Sequence, residues 1–172
     1  MNPALEAVQT RRSIRRFTSE PVTRESVGLI LKAAMHAPSA CNQQPWHFVV
    51  INDPGVMDTL SSIHGGVTFI KDAPCAILVC GDTEGAPFAD FWRDDCAAAT
   101  MNILLAAHSL GLGATWTGVG PSSRHTAVRM RDILGIPDGY TPFSLIPLGH
   151  PDEKRNIEDR FDPGKIHYNS QW

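Results

Sequence analysis

No apolar run in this chain is long enough to cross a bilayer, and Met1-Asn2-Pro3 opens no signal-peptide pattern, so the expectation is a cytoplasmic protein with no membrane partner. The four cysteines, Cys41, Cys75, Cys80 and Cys96, form no C-x-x-C pair and read as reduced, mostly buried thiols. The seven histidines show neither H-E-x-x-H nor H-x-x-x-H spacing, which argues against zinc and leaves no metal expected. There is no G-x-S-x-G, and Cys41 has no adjacent base, so no side-chain nucleophile is assigned. Gly111-x-Gly113 follows a helical pattern and lacks a third glycine, so it is not a dinucleotide fingerprint. Charge of one sign is scarce too: a formal net charge of -3 gives no reason to expect nucleic acid. Repeats, linkers and low-complexity segments are absent.

What is present suits one domain spanning residues 1–172, 42% hydrophobic and 19% charged. Asn2 and Pro3 start a helix with Leu5 and Val8 on its apolar face. Thr23 caps a second, with Val27, Ile30, Leu31 and Ala34 at helical spacing. Trp46–Ile51 and Cys75–Cys80 read as buried strands, with Asp53-Pro54-Gly55 a turn, Val56–Ile63 a short helix and Gly65-Gly66 a break. Asp94–Leu110 is apolar nearly all round and rich in alanine, which predicts a central helix open to close packing, ended by Gly111. Gly113–Gly120 reads as a strand and a glycine-rich turn, Ser123 as the cap of a helix ending near Leu134-Gly135. Phe143–Leu148 is a strand that Pro147 places near an edge. The tail, Pro151–Trp172, is charged and aperiodic but ends in Ile166, His167, Tyr168 and Trp172, which predicts docking rather than fraying. The fold class is α+β.

Two segments concentrate chemistry. Arg11-Arg12-Ser13-Ile14-Arg15-Arg16-Phe17 carries four arginines in six residues. A solvated helix end, where cations complement the macrodipole, explains it as well as an anion site that holds a terminal phosphate; a nucleic-acid or nuclear-targeting patch fits less, because the cluster does not continue. Pro38-Ser39-Ala40-Cys41-Asn42-Gln43-Gln44-Pro45-Trp46 is a helix-to-strand loop with three side-chain amides and a hydroxyl between two prolines. Alone it reads as polar surface. Paired with a phosphate clamp, neutral donors and acceptors on a stiff loop suit a planar heterocycle.

Both segments, in this order, resemble the N-terminal motifs of the FMN-dependent nitroreductase family. The resemblance continues through the alanine-rich helix into Gly111-Leu112-Gly113-Ala114-Thr115-Trp116, and through Leu148-Gly149-His150-Pro151 to Arg160, His167 and Tyr168. It implies an α/β sandwich whose central, mostly antiparallel sheet is flanked by helices, a homodimer with two FMN sites at its interface, and a tail (151–172) exchanged with the partner. By position, Arg11, Arg12, Ser13 and Arg15 match residues that hold the phosphate, ribityl chain and pyrimidine edge, and Arg160 matches a phosphate-binding arginine. Glu158 stands where some relatives carry lysine, which weakens that clamp. Pro38, Ser39, Ala40, Asn42 and Gln44 match the loop laid against the ring by the partner subunit. Thr117, Gly118 and Val119 match the turn whose backbone approaches the reactive ring nitrogen, with Trp116 beside it and Cys41 lining the site. Relatives often have polar flavin contacts where this chain has Gly65-Gly66-Val67-Thr68.

The implied activity is oxidation of NADH or NADPH, with hydride passed through the flavin to a nitroaromatic, quinone or similar small-molecule acceptor by a ping-pong route. Flavin chemistry leaves no side chain needed as a catalytic group. A flavin carrier or sensor without turnover stays open, as does a variant that fragments its flavin or removes a halide.

Overall fold

A computed structural model describes every residue except 1, 65–67, 120–123, 169 and 171. Expectations that rest on Gly65-Gly66-Val67, Gly120 and the Ser123 cap therefore lie outside the described residues. Thr68, which does not, opens a short 3-10 stretch, Thr68–Asp72.

Three helices begin as their caps dictate. The Asn2 side chain accepts from the Ala4 N–H ahead of α1 (Pro3–Thr10), and Thr23 caps α2 (Arg24–Ala34) through the Ser26 N–H. Asp53 caps α3 (Pro54–Ile63) through the Val56 N–H. Such caps contribute about 1 kcal/mol each. Asp53-Pro54-Gly55, expected as a turn, is the start of α3: proline is favoured at the first helical position, where its missing N–H costs nothing. The long helix α4 runs Trp92–Ser109, and Gly111, at φ 75°, closes it while Leu112 N–H donates to the Ala107 carbonyl. The last helix, α5, spans Arg124–Leu134.

The strands β1 (Trp46–Ile51), β2 (Cys75–Asp82) and β5 (Tyr140–Gly149) make the body of one antiparallel sheet. Two short strands, β3 (Gly113–Ala114) and β4 (Thr117–Gly118), pair with the free side of β5. Strand β5 is therefore internal, and the expectation that Pro147 puts it near an edge is corrected. Ala114 pairs with Leu148 and Thr117 with Leu145, so Pro147 falls where the outer ladder is interrupted and no N–H is needed.

Alternation along β2 divides the core. Cys75, Ile77 and Val79 pack with α2 and α4, whereas Ala76, Leu78 and Cys80 face the cluster that contains Met57, Leu60 and Met130. Burial on both faces explains why β2 reads as one continuous apolar run. The sheet is thus a central layer with helices on either side.

One apolar side of α4, carrying Ala97, Ala98, Met101 and Leu105, is only half-buried in a single chain, and α1 buries nothing, with Leu5 and Val8 exposed. The end of the tail is likewise uncovered: Phe161, Tyr168 and Trp172 are exposed.

Candidate functional site

The basic segment leaves α1 and crosses β3. Ile14 N–H donates to the Ala114 carbonyl at 3.1 Å, and Ser13 forms a parallel bridge to Ala114. Gly113 must lack a side chain here, because a Cβ would lie 2.6 Å from Ile14 Cγ2. Phe17 bridges Pro151, and the chain entering the tail folds back beside Arg15 and Arg16. Glu153 Oε1 accepts from the Arg15 N–H at 2.6 Å and the Arg16 N–H at 3.2 Å, while Oε2 pairs with Arg155 at 2.7 Å. Burial works against ionisation of Glu153, but those N–H groups and the Arg155 charge outweigh it and hold the carboxyl below its ordinary value.

The arginines of this segment are not equivalent. Arg12 donates to the carbonyls of Gln9, Arg11, Asn156 and Glu158, so its guanidinium fastens the tail to the end of α1. Arg11 is the opposite case: its Nε and Nη1 are buried and have no hydrogen-bond partner among the described residues. Burial, then the charges of Arg12 and Arg160, lower its pKa. Arg15 lies over the Phe69 ring, 5.9 Å from its centroid. A depression of about 490 Å³ opens among Arg12, Ser13, Arg15, Lys154, Arg155, Asn156, Glu158 and Arg160; a second, lined by Arg11, Arg12 and Arg160, adjoins it. Six cations and two acids, Glu158 and Asp159, line the two depressions, in a chain of net negative charge. Buried guanidinium N–H groups that repel one another are stabilised by a multiply charged oxyanion, and a phosphate monoester supplies one.

His108, near the end of α4, belongs to the same region. Thr10 Oγ1 donates to the Glu6 carbonyl, so the His108 Nε2–H donates to Thr10, at 2.8 Å. Burial, then Arg11 and Arg12, lower the His108 pKa.

The amide loop packs at the other end of α4. Cys41, Asn42 and Gln44 all have left-handed backbone, at φ 46°, 57° and 51°. Asp95, buried in the first turn of α4, compensates: Oδ1 accepts from the Ala40 N–H at 2.9 Å and Oδ2 from Gln43 Nε2 at 2.7 Å. Gln43 also exchanges two hydrogen bonds with the Phe88 backbone. The Ser39 hydroxyl accepts from the Gln44 N–H. Asn42 and Gln44 are left exposed, bonded to each other at 2.9 Å, and Pro38 and Cys41 are exposed beside them.

In the turn, the Thr117 hydroxyl donates to the Leu145 carbonyl, the Val119 N–H to the Phe143 carbonyl, and His64 Nε2 to the Gly118 carbonyl at 3.0 Å. Thr117 and Val119 are buried and Gly118 is exposed. Trp116 stacks edge-on against Phe143 at 5.7 Å.

The sequence model described as the nitroreductase family matches residues 8–65 and 62–150. A provisionally named NADH dehydrogenase/NAD(P)H nitroreductase of Methanothermobacter thermautotrophicus is 46% identical over 163 residues, covering 95% of this chain and 85% of that protein. The chain belongs to the nitroreductase family. Among solved structures, a provisionally named NADH dehydrogenase/NAD(P)H nitroreductase of Bacteroides thetaiotaomicron superposes with a TM-score of 0.92 at 37% identity, covering 98% of each chain. An FMN-dependent nitroreductase of Clostridium difficile does so at 0.89 with 32% identity, covering 97% of this chain and 99% of its own. The nitroreductase fold is therefore shared over nearly the whole length.

Within one chain the arginine segment and the amide loop stay apart. Asp95, which holds the amide loop, lies thirteen positions from His108, beside the arginines; at 1.5 Å per residue that is about 20 Å along α4. No residue of Pro38–Gln44 lines the arginine depression. Sequence reasoning missed Glu153, Lys154, Arg155 and the Asp95–Gln43 clamp. The signals for them were an acid two residues past His150-Pro151 and an acidic pair, Asp94-Asp95, opening an apolar helix.

Proposed function

We propose that this chain is an FMN-dependent NAD(P)H oxidoreductase that acts as a homodimer and reduces a nitroaromatic, quinone or similar conjugated acceptor. The observation that carries the reading is Arg11, whose buried Nε and Nη1 have no partner among the described residues and which sits near Arg12 and Arg160 beside a basic depression. The names of the Clostridium difficile and Methanothermobacter relatives support the cofactor and the hydride donor. FMN, when bound, supplies a ring that accepts a hydride and passes it on.

The residues present fit that group. Arg11 and Arg160 would take the terminal phosphate, each charge-assisted bond contributing about 1.5–3 kcal/mol. Ser13 would meet the ribityl chain, and Arg15 would set positive charge beside the pyrimidine edge, which favours the reduced, anionic ring. Arg12 would act indirectly, by holding the tail that presents Arg160. Gly118 and its neighbours Thr117 and Val119 would offer backbone to the ring, and His64 fixes that turn. Pro38, Ser39, Ala40, Asn42 and Gln44 would come from the second copy; the separation along α4 supports this, as do the half-buried apolar side of that helix and the uncovered tail end. Residues 1–172 would then form one domain whose final segment docks on the partner.

Donor and acceptor would occupy the same open site in turn, giving a ping-pong scheme. The test is anaerobic: protein loaded with FMN is mixed with NADH or NADPH and the visible flavin absorbance is followed. Bleaching, then recovery on adding a quinone or nitroaromatic, is expected. A flavin that stays oxidised with both donors would mark a carrier or sensor instead.

A further inference from the structure

The amide loop holds a conformation that Cys41 and Gln44, unlike the more tolerant Asn42, do not favour. Three non-glycine residues, Cys41, Asn42 and Gln44, sit in the left-handed region within four positions. Such residues persist only where surrounding structure over-determines them. The bonds internal to the loop, Asn42 N–H to the Ser39 carbonyl, Gln43 N–H to the Ala40 carbonyl, Gln44 N–H to the Ser39 hydroxyl and Gln44 Nε2 to Asn42 Oδ1, close the turn on itself and do not tie it to the body of the fold. What fixes it lies outside: the buried Asp95 carboxylate grips the Ala40 N–H with one oxygen and the Gln43 amide with the other. Gln43 carries the constraint on to the Phe88 peptide, donating to its carbonyl and accepting from its N–H. With Gln43 pulled inward, its neighbours Asn42 and Gln44 are turned out to solvent.

We propose that Asp95, acting through Gln43 and the Ala40 N–H, is a positioning residue that aims Asn42 and Gln44 at the flavin ring. This rests on the proposed FMN reading. Asp95 touches neither ring nor phosphate; its carboxylate determines whether the loop's outward amides stand where a planar heterocycle can use them. Asparagine in its place keeps the shape but presents an NH2 group to either the Ala40 N–H or the Gln43 Nε2, both donors, so one bond becomes a repulsion.

The experiment uses the full chain with FMN and, separately, inorganic phosphate as a competitor. Asp95→Asn is expected to weaken FMN binding tenfold or more and to shift the visible spectrum of the bound flavin, while the inhibition constant of phosphate stays at the wild-type value. A purely structural defect would lower both affinities together. In an Asn42→Ala background the Asp95→Asn effect should largely disappear, because the second change then has no aimed amide to misplace. Gln43→Met, which keeps the Ala40–Asp95 bond and removes the side-chain bond, decides the matter if Asp95→Asn does not fold. Wild-type FMN affinity and spectrum in a folded variant, or additive effects with Asn42→Ala, would overturn the proposal. Failure of the wild-type chain to bind FMN would instead sink the reading on which it rests.

Discussion

Glu153 Oε1 lies 2.6 Å from the backbone nitrogen of Arg15, and through that bond an acid from the tail sets the path of the basic segment. The same carboxylate reaches Arg16 N–H and Arg155; its own side chain is 11% exposed, while Arg155, at 47%, stays open to solvent. Glu153→Ala would leave two N–H groups and a guanidinium without their acceptor. The expected cost is about 1–2 kcal/mol of stability, since the freed groups regain water, with weaker FMN binding because Arg15 loses its anchor. Urea unfolding and FMN titration of the variant check both.

The contrast between Arg11 and Arg12 gives a second prediction. Arg11→Ala removes a half-buried cation, two of whose nitrogens have no partner among the described residues, from beside two others, so stability should be unchanged or slightly raised, while FMN affinity falls roughly ten- to a hundredfold. Arg12→Ala should lose about 1–2 kcal/mol of stability as four carbonyls return to water and the tail comes loose. Thermal unfolding without ligand separates the two: a larger loss for Arg11→Ala than for Arg12→Ala would reverse these roles.

That contrast also shows where the sequence stops being legible. Helix starts were readable because a cap and the N–H that donates to it lie within three residues, as Thr23 and Ser26 do. The segments that mark the family were readable by residue type and order. Which of two adjacent arginines is tied up in bonds to the tail depends on carbonyls at Asn156 and Glu158, more than 140 positions away. The misjudged position of β5 has the same origin. Proline argues locally for an edge, yet Pro147 is accommodated by a gap between two other strands. Asp95 and Glu153 went unnoticed because acids count against an anion site until their partners prove to be backbone N–H groups.

His108 gives the chain a pH dependence of known sign. Its folded pKa lies below the ordinary 6.5, through burial and the charges of Arg11 and Arg12. As pH falls through 6.5 the unfolded chain therefore takes up a proton before the folded chain does, and stability declines. Glu153 acts in a separate window: its folded pKa is below the ordinary 4.5, so its contribution is present above that value and is lost as pH falls further. Between pH 7 and 5 the melting temperature should drop in the wild type and drop less in His108→Gln, whose amide can still donate to Thr10. An identical slope in the two proteins would remove His108 from the account.

Arg11 and Asn42 supply the test of the shared site, since they would serve one flavin from different chains. Arg11→Ala damages the phosphate end and Asn42→Ala the ring end, so each homodimer should carry two damaged sites. In a mixed dimer of the two variants, shared sites put both defects in one pocket and leave the other intact. Flavin content and turnover should then recover to about half the wild-type value, provided the sites act independently. If each pocket came from a single chain, every pocket of the mixed dimer would still carry one defect and no recovery would follow. Differently tagged chains, separated as heterodimers and titrated with FMN, distinguish the cases. One high-affinity site per dimer supports the exchange of loops across the interface, and none at all rules it out.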